Sequence, residues 1–353
     1  MIGATVSKND SPAVVLFQLG GPDSLAAVEP FLYNLFSDPD IIEFPFARLT
    51  RPLMARLVAS RRADKVAEHY ARIGGKSPIG ELTEQQAKAL EEALRQHIDT
   101  RVFVAMRYWH PSVAEALQAV MSRGFRKVVL LPLYPQYSKT TTGSSLNEWH
   151  RNLERRQTPL TSLVIREFYD HPLYLEALVE RINEGLARFP EPNGSSNHGC
   201  PSDPRKVCLV FSAHGVPVSV IEAGDPYQAQ VEATVKLVIE RGGWPNPYIL
   251  CYQSRVSPGQ WLQPSLYSTL ARLAAEGAQQ ALIIPISFVS DHVETLYEID
   301  IEAREYAARA GISQFELMPG LNTSPTFIRS LASLVLQEVG SHAKLSGLAA
   351  EVG

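Results

Sequence analysis

Short, almost wholly apolar runs alternate along this chain with longer amphipathic stretches. Four runs lie at 14–19 (VVLFQL), 102–106 (VFVAM), 128–133 (VVLLPL) and 163–166. Four more lie at 207–211 (VCLVF), 248–252 (YILCY), 281–286 (ALIIPI) and 315–318. Runs this short, with little polar alternation, suit strands buried on both faces of a parallel sheet. Between them, 81–97 (ELTEQQAKALEEALRQH) and 264–277 read as helices. Strand–helix–strand alternation of this kind predicts an α/β chain with parallel sheets.

The two sets of runs resemble one another. In each, the first run ends in a Gly-containing turn, LGGP at 19–22 and AHGVP at 213–217. In each, the third carries a proline and enters a polar loop, VVLLPLYPQYSKTTTGSS in one and ALIIPISFVSDHVETLYE in the other. The pattern predicts an internal duplication: two similar α/β halves, 1–170 and 171–325, facing one another, each with a four-stranded parallel sheet flanked by helices. The tail 326–353 opens as an amphipathic helix (TFIRSLASLVLQEV) expected to pack back on the first half. The segment 189–206 is rich in Pro, Gly and Ser and reads as a surface insertion. Ligands of open α/β sheets bind at the carboxyl ends of the strands, so the loops after these runs, gathered around one cleft, are where chemistry is expected.

Composition narrows the function classes. The 353 residues are 45% hydrophobic and 20% charged, an ordinary globular balance, and 33 basic against 37 acidic side chains give a net charge of −4. That mild acidity argues against sequence-independent nucleic-acid binding, which runs on Lys and Arg contacts to phosphate. Three cysteines, Cys200, Cys208 and Cys251, match neither a disulfide framework nor a CxxC metal pattern, and they are too few for an iron–sulfur cluster within the chain. The first residues lack a basic stretch followed by a long apolar run, and no run reaches about 18 apolar residues, so a cytoplasmic protein is expected.

Several residues at the run ends can carry chemistry. Ser212–Ala213–His214–Gly215 follows a buried run. His214 there can accept a proton near neutral pH or ligate a metal, and a structural loop histidine is the plainer alternative. His292 and Glu294 stand in HxE spacing, and Glu294, Glu298 and Glu302 recur every four residues, on one face of a helix. A solvated acidic face would look the same; the placement at a strand's carboxyl end favours a path for protons or a hard cation. Arg107 and Tyr108 close the second run of the first half, and Tyr137, Ser138, Lys139 and a threonine run follow the third, suited to holding ligand carboxylates or simply to turn chemistry. The segment 44–65 (FPFARLTRPLMARLVASRRADK) is basic and amphipathic in an acidic chain, fit to touch an anionic membrane, to cover an apolar ligand or to pack as an ordinary helix. HExxH and GxSxG are missing, Gly20-Gly21-Pro22 is not GxGxxG, and TTTGSS lacks the Gly-Lys pair of a P-loop.

Taken together, these stretches resemble the ferrochelatases. The resemblance rests on LFQLGGPDS at 16–24, FLYNLFSDPDII at 31–42, YARIGGKSPI at 70–79, AMRYWHP at 105–111, LPLYPQYSKTTTGSS at 131–145, FSAHGVP at 211–217, GDPYQAQV at 224–231 and SFVSDHVETLYEID at 287–300. It implies two Rossmann-like, chelatase-type halves and insertion of Fe2+ into a porphyrin in haem synthesis. By the same resemblance His214 and Glu294 are the catalytic, metal-meeting pair, with Glu298, Glu302 and His292 as a proton or metal path. Leu19, Tyr70, Arg107, Tyr108, Tyr137, Ser138 and Phe288 would line the porphyrin pocket. Phe46, Leu49, Leu53 and Leu57 would form an apolar lip for peripheral membrane contact. Leu19 stands where coproporphyrin-using relatives tend to carry Tyr, which favours protoporphyrin IX. Gln18 replaces a frequent Asn. No tightly bound cofactor is expected, and Fe2+ enters as substrate. Coproporphyrin III chelation, loading of cobalt or nickel into another tetrapyrrole, and a non-catalytic porphyrin carrier are the competing readings.

Overall fold

The computed structural model describes the backbone of residues 11–41, 47–190, 207–254 and 259–351, and side chains for these except 47–49 and 343–351. The expected insertion at 189–206 therefore lies almost wholly outside the described residues, as does Phe46. The chain divides into two compact units, one made of Met1–Phe168 with Asn322–Gly353, the other of Tyr169–Leu321.

The first unit is built on β1 (Ala13–Gln18), β2 (Val102–Met106), β3 (Lys127–Pro132) and β4 (Thr161–Val164), all parallel, in the order β2-β1-β3-β4. Every residue of β1 is buried, as its unbroken apolar pattern requires of a central strand. Helices α1 (Val28–Phe36), α2 (Ala47–Arg72), α3 (Ile79–Leu94), α4 (Val113–Ser122) and α5 (Ser144–Arg156) complete it. On one side Ala13, Val15 and Phe17 pack with Leu117 and Val120 of α4 and Trp149 of α5. The Phe17 and Trp149 rings meet edge to face at 5.8 Å. The LGGP turn after β1 needs its glycines: Gly20 holds φ +85°, and a Cβ there would press on Met106 and Trp109.

The second unit repeats this plan. Strands β5 (Val207–His214), β6 (Tyr248–Gln253), β7 (Gln280–Pro285) and β8 (Gln314–Leu317) are parallel in the order β6-β5-β7-β8, with helices α6 (Pro172–Leu186), α7 (Val218–Glu222), α8 (Tyr227–Gly242), α9 (Leu266–Ala275) and α10 (Arg304–Ala310) around them. One side of its core joins Val210, Cys251 and Ile283 to Leu270, Ile299 and Phe315. The last helix, α11 (Pro325–Glu351), belongs to the first unit. Phe327, Leu331 and Val335 recur at helical spacing and are fully buried where α11 meets α3, β3 and β4.

The duplication extends to a feature that apolar patterning does not reveal. After the third strand of each sheet the chain winds as a π-helix, Lys139–Gly143 in the first unit and Glu294–Ala303 in the second, before tightening into α5 or α10. The acidic row expected on an ordinary helix therefore sits on a wider turn with i→i+5 hydrogen bonding. π-helical turns are rare and concentrate at functional sites.

Candidate active site

His214 closes β5, and its backbone is pinned from two sides. Its N–H donates to Ser287 Oγ at 2.9 Å, and its carbonyl accepts the Tyr227 hydroxyl at 3.0 Å. Burial pushes the Tyr227 pKa up, which keeps that hydroxyl a donor. The next residue must be small: a Cβ on Gly215 would lie 2.8 Å from the Gln253 carbonyl. Tight backbone packing thus presents the imidazole at the carboxyl end of the central strand, with the side chain one third exposed.

Glu294 opens the π-helix and lies between two imidazoles. Its Oε2 is 3.8 Å from His214 Nε2, and its Oε1 is 3.9 Å from His292 Nε2. Both gaps exceed a hydrogen bond, and both fall within the span of two metal–ligand bonds of about 2.0–2.2 Å. His292 is buried, and its Nδ1 stands 3.1 Å from the Ser290 carbonyl. A carbonyl only accepts, so Nδ1 carries the proton and the Nε2 lone pair faces Glu294. Burial lowers the His292 pKa against the pull of Glu294, and the ring stays neutral at pH 7. Phe288 sets its ring edge to face against both imidazoles, at 6.4 Å from His214 and 4.5 Å from His292.

The acidic row continues outward. Glu294 and Glu298 are half-buried and Glu302 is exposed. Ser254 Oγ donates to Glu298 Oε2 at 2.6 Å and lies 3.2 Å from Glu294 Oε2. Tyr267 hydrogen-bonds Glu302, and its hydroxyl is raised by burial and then by that carboxylate. Neither Ser254 nor Tyr267 was singled out in the sequence. Ser254 follows β6 as Arg107 follows β2, so the duplication was the signal that could have found it. Among the described residues no group of three or more His, Cys, Asp or Glu is arranged to hold a metal.

In the first unit several of the expected porphyrin-lining residues are engaged by other side chains of the same unit. Arg107 reaches Asp38 Oδ1 through Nη2 at 2.9 Å and Ser144 Oγ through Nε at 2.8 Å. The Tyr108 and Ser144 hydroxyls each donate to Asp38 Oδ2 at 2.6 Å. Burial, and then the Asp38 charge, push the Tyr108 pKa well above its usual value. Beside them Asp40 takes Arg151 and Asn147; burial raises its pKa, and these hydrogen bonds together with the Arg151 and Arg107 charges lower it overall. Ser138 is buried and caps the π-helix by accepting from Thr140 N. Tyr137 lies under the Arg166 guanidinium at 4.7 Å. Tyr70 is buried, and Leu19 is half-buried with its N–H on Gln18 Oε1, which gives that residue a turn-closing bond. A separate pocket of about 450 Å³ in this unit is lined by other residues, among them Gly21, Lys76, Glu84, Lys88 and Trp109.

On α2, Ala55 and Ala59 face inward, whereas Leu53 is 72% and Leu57 41% exposed. Arg56, Arg61, Arg62 and Lys65 are exposed on the same helix. The side chain of Leu49 lies outside the described residues. None of the described helices is long and apolar enough to cross a membrane.

Comparison with known proteins places this geometry in context. The ferrochelatase family model matches residues 11–339. The chain is 50% identical over 327 residues to a ferrochelatase of Geotalea daltonii, covering 93% of this chain and 98% of that protein. It is 46% identical over 330 residues to a ferrochelatase of Cyanothece, covering 92% and 81%. Among solved structures, SirB from Bacillus subtilis with Fe3+ shares the fold at a TM-score of 0.50 and 15% identity, over 72% of this chain and 89% of that one.

Proposed function

The chain belongs to the ferrochelatase family, enzymes that insert metal into a porphyrin, and from that premise we propose that it inserts Fe2+ into protoporphyrin IX to yield protohaem. The observation that carries the site assignment is Glu294 standing between the Nε2 atoms of His214 and His292 at 3.8 and 3.9 Å. Insertion forms bonds from iron to the four pyrrole nitrogens and breaks two N–H bonds, so two protons leave as one dication enters and no electrons change hands. His214 and Glu294 accept those protons and meet the metal. His292, held as a neutral Nδ1–H tautomer, offers a lone pair behind them. Glu298 and Glu302 lead protons out or the cation in, from the half-buried to the exposed end of the row. The nonpolar side chain of Leu19 supports protoporphyrin IX over coproporphyrin III.

The enzyme works without a resident iron–sulfur cluster. Burial pushes the Cys208 thiol up to about 11 and the Cys251 thiol up to about 12, the opposite of what a ligating thiolate needs. It acts in the cytoplasm, with α2 resting on an anionic membrane surface through Leu53, Leu57 and the neighbouring arginines. The test is anaerobic insertion of Fe2+ into protoporphyrin IX and coproporphyrin III by the parent, His214→Ala and Glu294→Gln proteins. Faster turnover with protoporphyrin IX, and at least about hundredfold slower turnover in both variants, is expected of a general acid–base pair. Near-normal turnover in both variants would overturn the site. Preference for coproporphyrin III would overturn the substrate.

A further inference from the structure

Ser254 occupies an unusual position. It follows the last residue of β6 with φ +59°, in the left-handed region that glycine enters freely and other residues enter at a cost. A side chain is nonetheless kept there, and its one hydroxyl proton is shared by two carboxylates four residues apart, Glu298 at 2.6 Å and Glu294 at 3.2 Å. Strained residues persist where the surrounding structure holds them, and such residues cluster at functional sites. Along a ten-residue π-helix the carboxylates have several rotamers open to them. An anchor just beyond the end of β6 selects the one in which both reach the same hydroxyl.

We propose that Ser254 is a positioning residue for metal handling: its hydroxyl sets the spacing of Glu294 and Glu298, and with it the approach of the cation to the His214–Glu294 pair. The inference rests on the chelatase reading of this site. The hydrogen bonds of Ser254 run to Glu294 and Glu298, the carboxylates of the metal-handling row, so its effect is expected on the metal. It also separates hydroxyl from backbone. Ser254→Gly removes the hydroxyl and relieves the backbone, Ser254→Ala removes it and keeps the strain, and Ser254→Thr keeps it.

Two measurements decide the matter. In steady-state insertion, the Gly and Ala variants should raise the KM for Fe2+ about tenfold, the scale of one hydrogen bond to a charged group. Their KM for porphyrin should stay within about twofold, and Thr should recover most of the loss. Separately, calorimetric titration of the porphyrin-free protein with Co2+, an air-stable stand-in for Fe2+, should show weaker binding in Gly and Ala than in parent and Thr. If the parent inserts no metal, the chelatase reading fails, and the Co2+ titration still decides the role of Ser254. Equal Co2+ binding by all four proteins overturns the proposal. So does recovery in Gly but not Thr, which would make the position a matter of backbone strain, or a parallel rise of both KM values.

Discussion

Asp38 is the carboxylate on which the polar cluster of the first unit turns, and replacing it with asparagine isolates its charge. Its side chain is wholly buried and that of Arg107 is 11% exposed. At an effective dielectric near 20, their 2.9 Å contact carries about 6 kcal/mol of attraction, and desolvation of the carboxylate offsets roughly half of it. Asparagine keeps an oxygen for Tyr108 and Ser144 but turns an amide toward the guanidinium. Asp40, 3.9 Å away, remains as the nearest counter-charge. The expected cost is therefore about 3 kcal/mol, near the low end for breaking a buried pair. A two-unit chain is a poor subject for a single unfolding transition, so the assay is native-state hydrogen exchange read peptide by peptide. Amides of β2, whose last residue precedes Arg107, should exchange about a hundredfold faster in Asp38→Asn, the equivalent of that cost at 1.4 kcal/mol per decade. Amides of β5 in the other unit should be unchanged. Exchange in β2 within about threefold of the parent would refute the view of Asp38 as a clamp, and equal acceleration in β5 would refute its being local.

Two further outcomes follow from charge placement. Glu115 closes a capping box with Ser112 at the start of α4, and the Ser112 backbone N–H, then His110, hold its pKa down to about 2 from 4.5. A carboxylate lowered on folding stabilises above its unfolded pKa and loses that contribution as pH falls from 4.5 toward 2, so the deficit of Glu115→Gln in α4 protection should be full at pH 7 and shrink across that window; a pH-independent deficit would contradict the cap. On α2, reversing Arg61 and Arg62 to glutamate should weaken cosedimentation with anionic vesicles at least tenfold at low salt, given about 1 kcal/mol per basic residue at such a surface; unchanged binding would remove the membrane role.

The strands, their parallel pairing and the duplication were legible in the sequence because a strand buried on both faces must be apolar throughout, and VVLFQL or ALIIPI allow little else. His214 and the segment 292–302 were each legible as candidates because both follow strands at the carboxyl end where open sheets bind ligands, and the ferrochelatase resemblance implied their pairing. The π-helices were not legible, since ETLYEIDIEA and KTTTG carry no local signal for an i→i+5 turn, and only tertiary packing supports one. Asp38 lies in FLYNLFSDPDII, a stretch that carries the resemblance without giving Asp38 a role, and its partners Arg107 and Ser144 are 69 and 106 residues away. Arg107 and Tyr108 stand at a strand end, where polar side chains suit ligand carboxylates and turn chemistry alike, and the ferrochelatase resemblance implied a place in the porphyrin pocket. The structure gives both an internal partner that spacing cannot reveal.

That contrast separates the polar clusters of the two units by what their atoms still have to offer. Around Asp38 both carboxylate oxygens are taken by hydrogen bonds or an ion pair of 2.6–2.9 Å, and a buried cluster so satisfied holds loops rigid while reacting with nothing. Around Glu294 the imidazoles stand 3.8 and 3.9 Å off, too far to satisfy one another and near enough to share an incoming ion or proton. A group that must accept something during a reaction has to be kept short of partners beforehand, and keeping it so takes a framework that prevents collapse. Here the framework consists of the Ser287 and Tyr227 bonds to the His214 backbone, the Ser290 carbonyl on His292, the Phe288 ring against both imidazoles, and the Ser254 hydroxyl beneath the carboxylates. Loosening any of them should let the gap close into an ordinary ion pair.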